Sequence, residues 1–415
     1  MTHPQRRLFI CYLPALDRRR VSAGLTPFVH RLLTDYPSVG LRTQPTTELF
    51  PTLVTGTNPE AHHIWQVSLK GRISETWADR LLDCLPSWLT TTYQCVRHSL
   101  DPAYDLPAIP RRRRRHFNLH RIKYTRRSIA PDVLKDIGGV PSLFGLLGDE
   151  ARYRIATDFK EIPRVLDGLP DDRYALDLLE FYAFDLLCHW NLDRARVIEE
   201  HLCLIDDFVR DAHERCRQKG VTMILLVDHG QEPVTGSVDL KKLLKTTGVP
   251  PEEYHYLIEV CVARFWFKTD RARQAITQML EVTPQVAVRT NEQLRQYNIF
   301  FDDDRFGELY AIANHGTIFF PHDFYHPLAN LFLALTTPMV RRRLFNPRHR
   351  GVHGNLPNHP AEEGYMVLAD SYYETDTRWM QLIDFAPTVL HLLGRDKPDV
   401  MRGRSVFYRR GTSNE

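Results

Sequence analysis

The run Val221 to Val227 (VTMILLV) is apolar but for Thr222, and Asp228, His229 and Gly230 follow it at once. Gly220 on one side and a polar triplet on the other mark it as a strand buried on both faces. Before it, from about Leu192 to Lys219, the spacing of Val197, Leu202, Ile205, Phe208 and Val209 is helical, and Gly220 stops that helix. Leu178 to Phe184 is a second strand-like piece, and Leu8 to Leu13, bounded by Pro14, is a third. Strand, helix, strand, with polar residues at a strand's carboxyl end, is the layout of an open, mostly parallel α/β sheet. Ligands of such sheets bind beyond the carboxyl ends of the strands.

At 415 residues the chain exceeds one typical domain. We expect a catalytic core of residues 1–240 and 301–408 carrying two insertions. Residues 66–150, irregular and rich in Pro, Arg and aromatics, read as an insertion or lid. Residues 241–300 read as a small α/β insertion, with strands at Tyr256 to Phe267 and Val286 to Thr290 around a helix near Asp270 to Leu280. A net charge of +3 excludes a polycation acting as a whole. The basic run Arg111 to Arg115, with Arg121, Lys123, Arg126 and Arg127 nearby, reads either as a solvated loop or as a groove for a polyanion. A nucleic-acid partner rests on that run alone.

The seven cysteines lack CxxC spacing, which points to reduced thiols and a cytoplasmic protein. The N-terminal apolar stretch is broken by Pro14 and then by charge, so it reads as a core strand and not as a signal peptide. No apolar run has the length of a membrane span, and no membrane partner is expected.

Four short signals carry the chemistry. They are PTTELFPTLVTGTNPEAHHI at 45–64, FDLLCH at 184–189, VDHGQ at 227–231 and GVHGN at 351–355. Singly, each has a plain structural reading: a solvated helix pair, a turn, a glycine loop. Together they supply His189, His229, His353, Asp185 and Asp228, a nitrogen and oxygen set that suits zinc, with manganese or iron as alternatives. A threonine alcohol is a poor nucleophile at neutral pH, and metal coordination is one way to activate it. Two ions a few ångströms apart can bind both the attacking and the phosphoryl oxygen.

These signals resemble the type I phosphodiesterase/nucleotide pyrophosphatase family of the alkaline phosphatase superfamily. Thr46 stands nine residues before Thr55, and Gly56 and then PEAHHI follow. Asp185 and His189 match an Asp-x3-His, Asp228 to Gly230 match a Ser-Asp-His-Gly, and Gly351 to Gly354 match a Gly-x-His-Gly. The ending LIDFAPTVLHLLGRDKPDVMRGRSVF is similar to the family's closing segment. The resemblance covers residues 1–65, 170–240 and 305–408. It implies an alkaline-phosphatase-like sandwich, with a central mostly parallel sheet flanked by helices and interrupted by insertions. It also implies two divalent ions, one held by Asp185, His189 and His353, the other by Asp228, His229 and Thr46. Thr46 would be the nucleophile that opens phosphodiester or phosphoanhydride bonds of a small phosphate ester or nucleotide.

Two departures stand out. The family's Asp-Gly after the first strand is replaced by Leu13-Pro14-Ala15-Leu16-Asp17, so Asp17 serves the second ion only if the turn is reshaped. The Asn expected after the nucleophile is absent, and Thr47-Glu48-Leu49 follows Thr46 instead. Thr47 is therefore both a substrate-binding candidate and the alternative nucleophile. His322 and His326, after a strand-like TIFF run, are further pocket-lining candidates, while His62 and His63 read as packing residues. Alternative activities are phosphomonoesterase, phosphonate hydrolase or phosphotransferase on the same site, or nucleotide binding without turnover.

Overall fold

The structure, a computed structural model, describes residues 6–66, 134–336 and 338–411, with short pieces at 68–70, 85–86, 88–90, 92–93 and 117–119. The Arg111 to Arg115 run and most of the 66–150 segment lie outside the described residues.

Seven strands build the central sheet: Leu8–Tyr12 (β1), Ser38–Arg42 (β2), Ala151–Ala156 (β3), Leu176–Phe181 (β4), Thr222–Val227 (β5), Glu363–Leu368 (β6) and Trp379–Gln381 (β7). Their order is β7-β2-β6-β5-β1-β4-β3. β1 lies between β4 and β5, parallel to both, with Leu8 opposite Leu176 and Thr222. Only β6 runs the other way, antiparallel to β5 and β2. The mostly parallel sheet expected from the sequence is the observed one.

Alternation along β1 shows why both faces are covered. Leu8, Ile10 and Tyr12 join one apolar cluster, with Leu53 and Val54 of Phe50–Thr55 (α2) and Phe385 and Val389 of Phe385–Leu392 (α5). Phe9 and Cys11 point to the opposite cluster. There they meet Val29 and Leu32 of Pro27–Asp35 (α1), Leu187 of Ala183–Asn191 (α3) and Leu202 and Ile205 of Ala195–Gln218 (α4). Each such fully buried large side chain contributes about 1.5–3 kcal/mol. A polar contact fixes α1 to α4: buried Asp206 accepts from the backbone N–H groups of Phe28 (3.0 Å) and Val29 (2.8 Å) at the free N-terminus of α1.

A second, antiparallel sheet has the order Tyr254–Ile258, Val262–Phe267, Leu309–Ala313, Val286–Arg289, with helix Asp270–Glu281 packed against it. Two details differ from the sequence reading. Tyr256 to Phe267 is not one strand but a hairpin, because Glu259, Val260 and Cys261 turn the chain. Leu309–Ala313, expected in the catalytic core, pairs instead with Val262–Phe267 and Val286–Arg289. The tail of the expected lid also belongs to the core, since Leu134, Ile137, Leu143, Phe144 and Leu147 are buried in the first cluster. Among the described residues no helix is long and apolar enough to cross a membrane, and Cys11, Cys188, Cys203, Cys216 and Cys261 are free thiols.

Candidate active site

The carboxyl ends of β1, β4 and β5 and the loop after β2 open onto one cavity. Val352 and His353 close it from the Gly351–Gly354 loop. β4 ends at Phe181 and α3 begins at Ala183, so Asp185 falls in the first helical turn. His189 is one turn later on the same face. Its Nε2 lies 3.4 Å from Asp185 Oδ2, and His353 Nε2 lies 3.8 Å from Asp185 Oδ1. One ligand atom from each of Asp185, His189 and His353 lies within 4.8 Å of the others.

Second contacts orient these donors. His189 Nδ1 is 3.0 Å from the Gly351 carbonyl oxygen, to which it donates, so Nε2 is the nitrogen left to face a metal. Gln231 Nε2 donates to Asp185 Oδ1 at 2.5 Å and to the Asp185 carbonyl at 3.1 Å. Burial opposes ionisation of Asp185, yet His189, His353 and His229 together hold its carboxyl well below its ordinary value. Burial, followed by His229, pushes the His353 imidazole well below its ordinary pKa. The carboxylate is ionised, and a divalent ion taking the place of the proton between it and the imidazoles would be held by one oxygen and two nitrogens. These three residues fit such an ion.

Asp228 and His229 stand beside this group at the end of β5. His229 Nδ1 donates to the Gly230 carbonyl at 2.8 Å, and its Nε2 is 3.4 Å from Asp228 Oδ2. The rings of His229 and His353 stack with centroids 3.6 Å apart. Burial raises the pKa of Asp228; burial works against His229 protonation, but Asp228 and Asp185 carry its pKa upward.

The remaining expected residues divide. Thr47 and Glu48 line the cavity. Thr46 is buried: its hydroxyl donates to the Trp65 carbonyl and accepts from the Glu48 N–H at 3.0 Å. Asp17 does not join the cluster. Its buried carboxylate accepts from Arg19 Nε at 3.0 Å and lies 3.7 Å from Arg20 Nε. His322 and His326 are not brought in either. His322 Nδ1 accepts from the Phe324 N–H at 3.2 Å, with burial pushing its pKa to about 3. His326 Nδ1 accepts from the Leu328 N–H at 3.3 Å at the start of helix Pro327–Thr336.

Three cavity residues escaped the sequence reading. Tyr12, on β1, donates its hydroxyl to Asp228 Oδ2 at 2.5 Å. Glu180, directly opposite Tyr12 in the sheet, accepts from the Tyr153 hydroxyl. His349 leans on Trp190 with ring centroids 4.6 Å apart, next to His189, and its buried Nδ1 has no hydrogen-bond partner among the described residues. Its signal was nearness to the Gly-x-His-Gly motif.

Glu362 was missed as well, and it shapes the loop that carries His353. Its carboxylate accepts from the N–H groups of Gly354 (2.9 Å) and Asn355 (3.1 Å). Burial pushes its pKa up to about 7 against those two bonds. Glu362→Ala leaves two buried donors without partners. We expect it to destabilise the fold by about 2–4 kcal/mol and Glu362→Gln by less, as read from denaturant unfolding. Equal stability of all three proteins would remove this role.

The family model for type I phosphodiesterase / nucleotide pyrophosphatase matches residues 16–326. The chain belongs to that family. Its fold is shared with human ectonucleotide pyrophosphatase / phosphodiesterase 5, at a TM-score of 0.61 and 13% identity over 97% of each chain. The murine protein of the same name, solved as an inactive threonine-to-alanine variant in complex with AMP, matches at a TM-score of 0.61 and 14% identity over 95% of this chain and 96% of that one. No curated protein matches in sequence.

Proposed function

We propose that this chain hydrolyses phosphodiester or phosphoanhydride bonds in a small phosphate ester or nucleotide, using a metal centre and a threonine nucleophile. The convergence of Asp185, His189 and His353, with the His189 tautomer set by the Gly351 carbonyl, is the observation that supports this reading best. A divalent ion bound there would polarise a phosphoryl oxygen and stabilise charge developing on the attacking oxygen. Two histidines and a carboxylate suit zinc first, then manganese or iron.

The attacking hydroxyl comes from the Thr46–Thr47 loop. Spacing favours Thr46, but both hydrogen-bonding roles of its hydroxyl are taken up by Trp65 and Glu48. The exposure of Thr47 to the cavity favours Thr47. Its oxygen forms a bond to phosphorus as the bond to the leaving alcohol or phosphate breaks, the hydroxyl proton passing to the leaving oxygen or to solvent, and water then cleaves the phosphothreonine ester. The free thiols are consistent with a reducing compartment such as the cytoplasm.

Nucleotide binding without turnover is the second reading, favoured by the engagement of the Asp17 carboxylate with Arg19 and Arg20. Rates on a nitrophenyl phosphodiester and on the matching monoester, with zinc or manganese added, test the proposal. Faster diester cleavage is expected. Preference for the monoester would assign a phosphomonoesterase, and no turnover of either would favour the binding reading.

A further inference from the structure

The family resemblance implies two ions, and the side chains around Asp228 do not fit the second. Asp228 and His229 are the two donors at the end of β5. The group of three converging ligand residues found among the described residues is Asp185, His189 and His353. The carboxylate needed from the turn after β1 has been drawn off. Asp17 Oδ1 accepts from both the backbone N–H (2.9 Å) and Nε (3.0 Å) of Arg19, and Oδ2 accepts from the Arg19 guanidinium at 3.0 Å. It lies hard against Gly230, where an added Cβ would be 1.9 Å from Asp17 Oδ2. In that position Asp17 holds the chain behind the site and presents no oxygen to it.

β1 brings a proton donor to Asp228 in place of an anion. The Tyr12 hydroxyl is 2.5 Å from Asp228 Oδ2, the same oxygen that lies 3.4 Å from His229 Nε2. A hydrogen bond on that oxygen competes with a cation for it, and one carboxylate with one imidazole leaves such a cation short of protein ligands. His229 meanwhile has a neighbour to support: its ring lies flat on that of His353, 6° from parallel.

We infer that this chain is a one-ion member of its family. Asp185, His189 and His353 hold the ion, while Tyr12, Asp228 and His229 form a hydrogen-bonded, stacked wall that orients His353. The inference rests on the reading of this cavity as a metal centre.

Metal content separates the two. The full chain is loaded with excess zinc, freed of loose metal by gel filtration and analysed by mass spectrometry of the element, with thermal unfolding as a check on folding. The expected result is one zinc per chain for the wild type and for Asp228→Asn, and essentially none for Asp185→Asn. Two zinc per chain in the wild type, falling to one in Asp228→Asn or Tyr12→Phe, would overturn the one-ion inference and leave the proposed function standing. No zinc in a folded wild type would overturn both.

Discussion

Thr47→Ala is expected to lower kcat on a nitrophenyl phosphodiester by roughly 10³-fold or more, the scale on which an enzyme loses its nucleophile. The side chain lines the cavity together with Asp185, His189 and His353 and is largely open to it. Removing a methyl and a hydroxyl there exposes no core and orphans no buried partner, so stability should stay within about 0.5 kcal/mol. Thr46→Ala should do the reverse. It strips a buried hydroxyl from the Trp65 carbonyl and the Glu48 N–H, at a cost of about 1–3 kcal/mol, while keeping a substantial fraction of turnover. Measuring kcat and unfolding free energy for both variants separates a chemical role from a structural one. A collapse of kcat in Thr46→Ala with Thr47→Ala little affected would move the nucleophile to the position that spacing indicates.

Asp185→Asn carries the second large effect. The side chain keeps its shape, but the anion facing both His189 Nε2 and His353 Nε2 is lost. Metal affinity depends on deprotonated, charged ligands, and an amide oxygen is a weak replacement. Zinc affinity measured by calorimetry should drop by at least about 100-fold, beyond the effect of altering an outer partner of a metal ligand. Melting temperature in the presence of chelator should change far less than in the presence of zinc, because the variant loses the stabilisation that ligand binding confers on the native state. Unaltered zinc affinity would mean that these three residues are not the metal centre.

Much of this architecture was legible along the chain because it is written in local patterns. Val221 to Val227 is apolar on both faces, and β5 does lie inside the sheet between β1 and β6. Asp185 and His189 are spaced by one helical turn, and the helix that aligns them starts right after β4. What remained hidden depends on register between distant strands. Tyr12 reads as one more apolar residue of the first strand, and only its position opposite Leu226 brings the hydroxyl to Asp228. Glu362 meets Gly354 and Asn355 through a loop that folds back, which no spacing rule anticipates.

The choice between Thr46 and Thr47 is a matter of one residue in a bent loop, where the Thr46 hydroxyl meets the Trp65 carbonyl and Thr47 lines the cavity. A motif can therefore locate the loop without saying which hydroxyl faces the metal donors. Likewise, the largely apolar text of Tyr256 to Phe267 hides a hairpin, because Val260 and Cys261, which follow Glu259 in its turn, are as apolar as the strands they join.

We propose that Asp185, His189 and His353 form a metal centre on which phosphodiester hydrolysis depends. Stripping the full chain with chelator and returning zinc or manganese while following nitrophenyl phosphodiester cleavage tests it most directly. The expected result is no turnover in the stripped protein, recovery on return of metal, and no recovery for Asp185→Asn. Full activity in the stripped wild type, or recovery of Asp185→Asn to the wild-type rate, would contradict it.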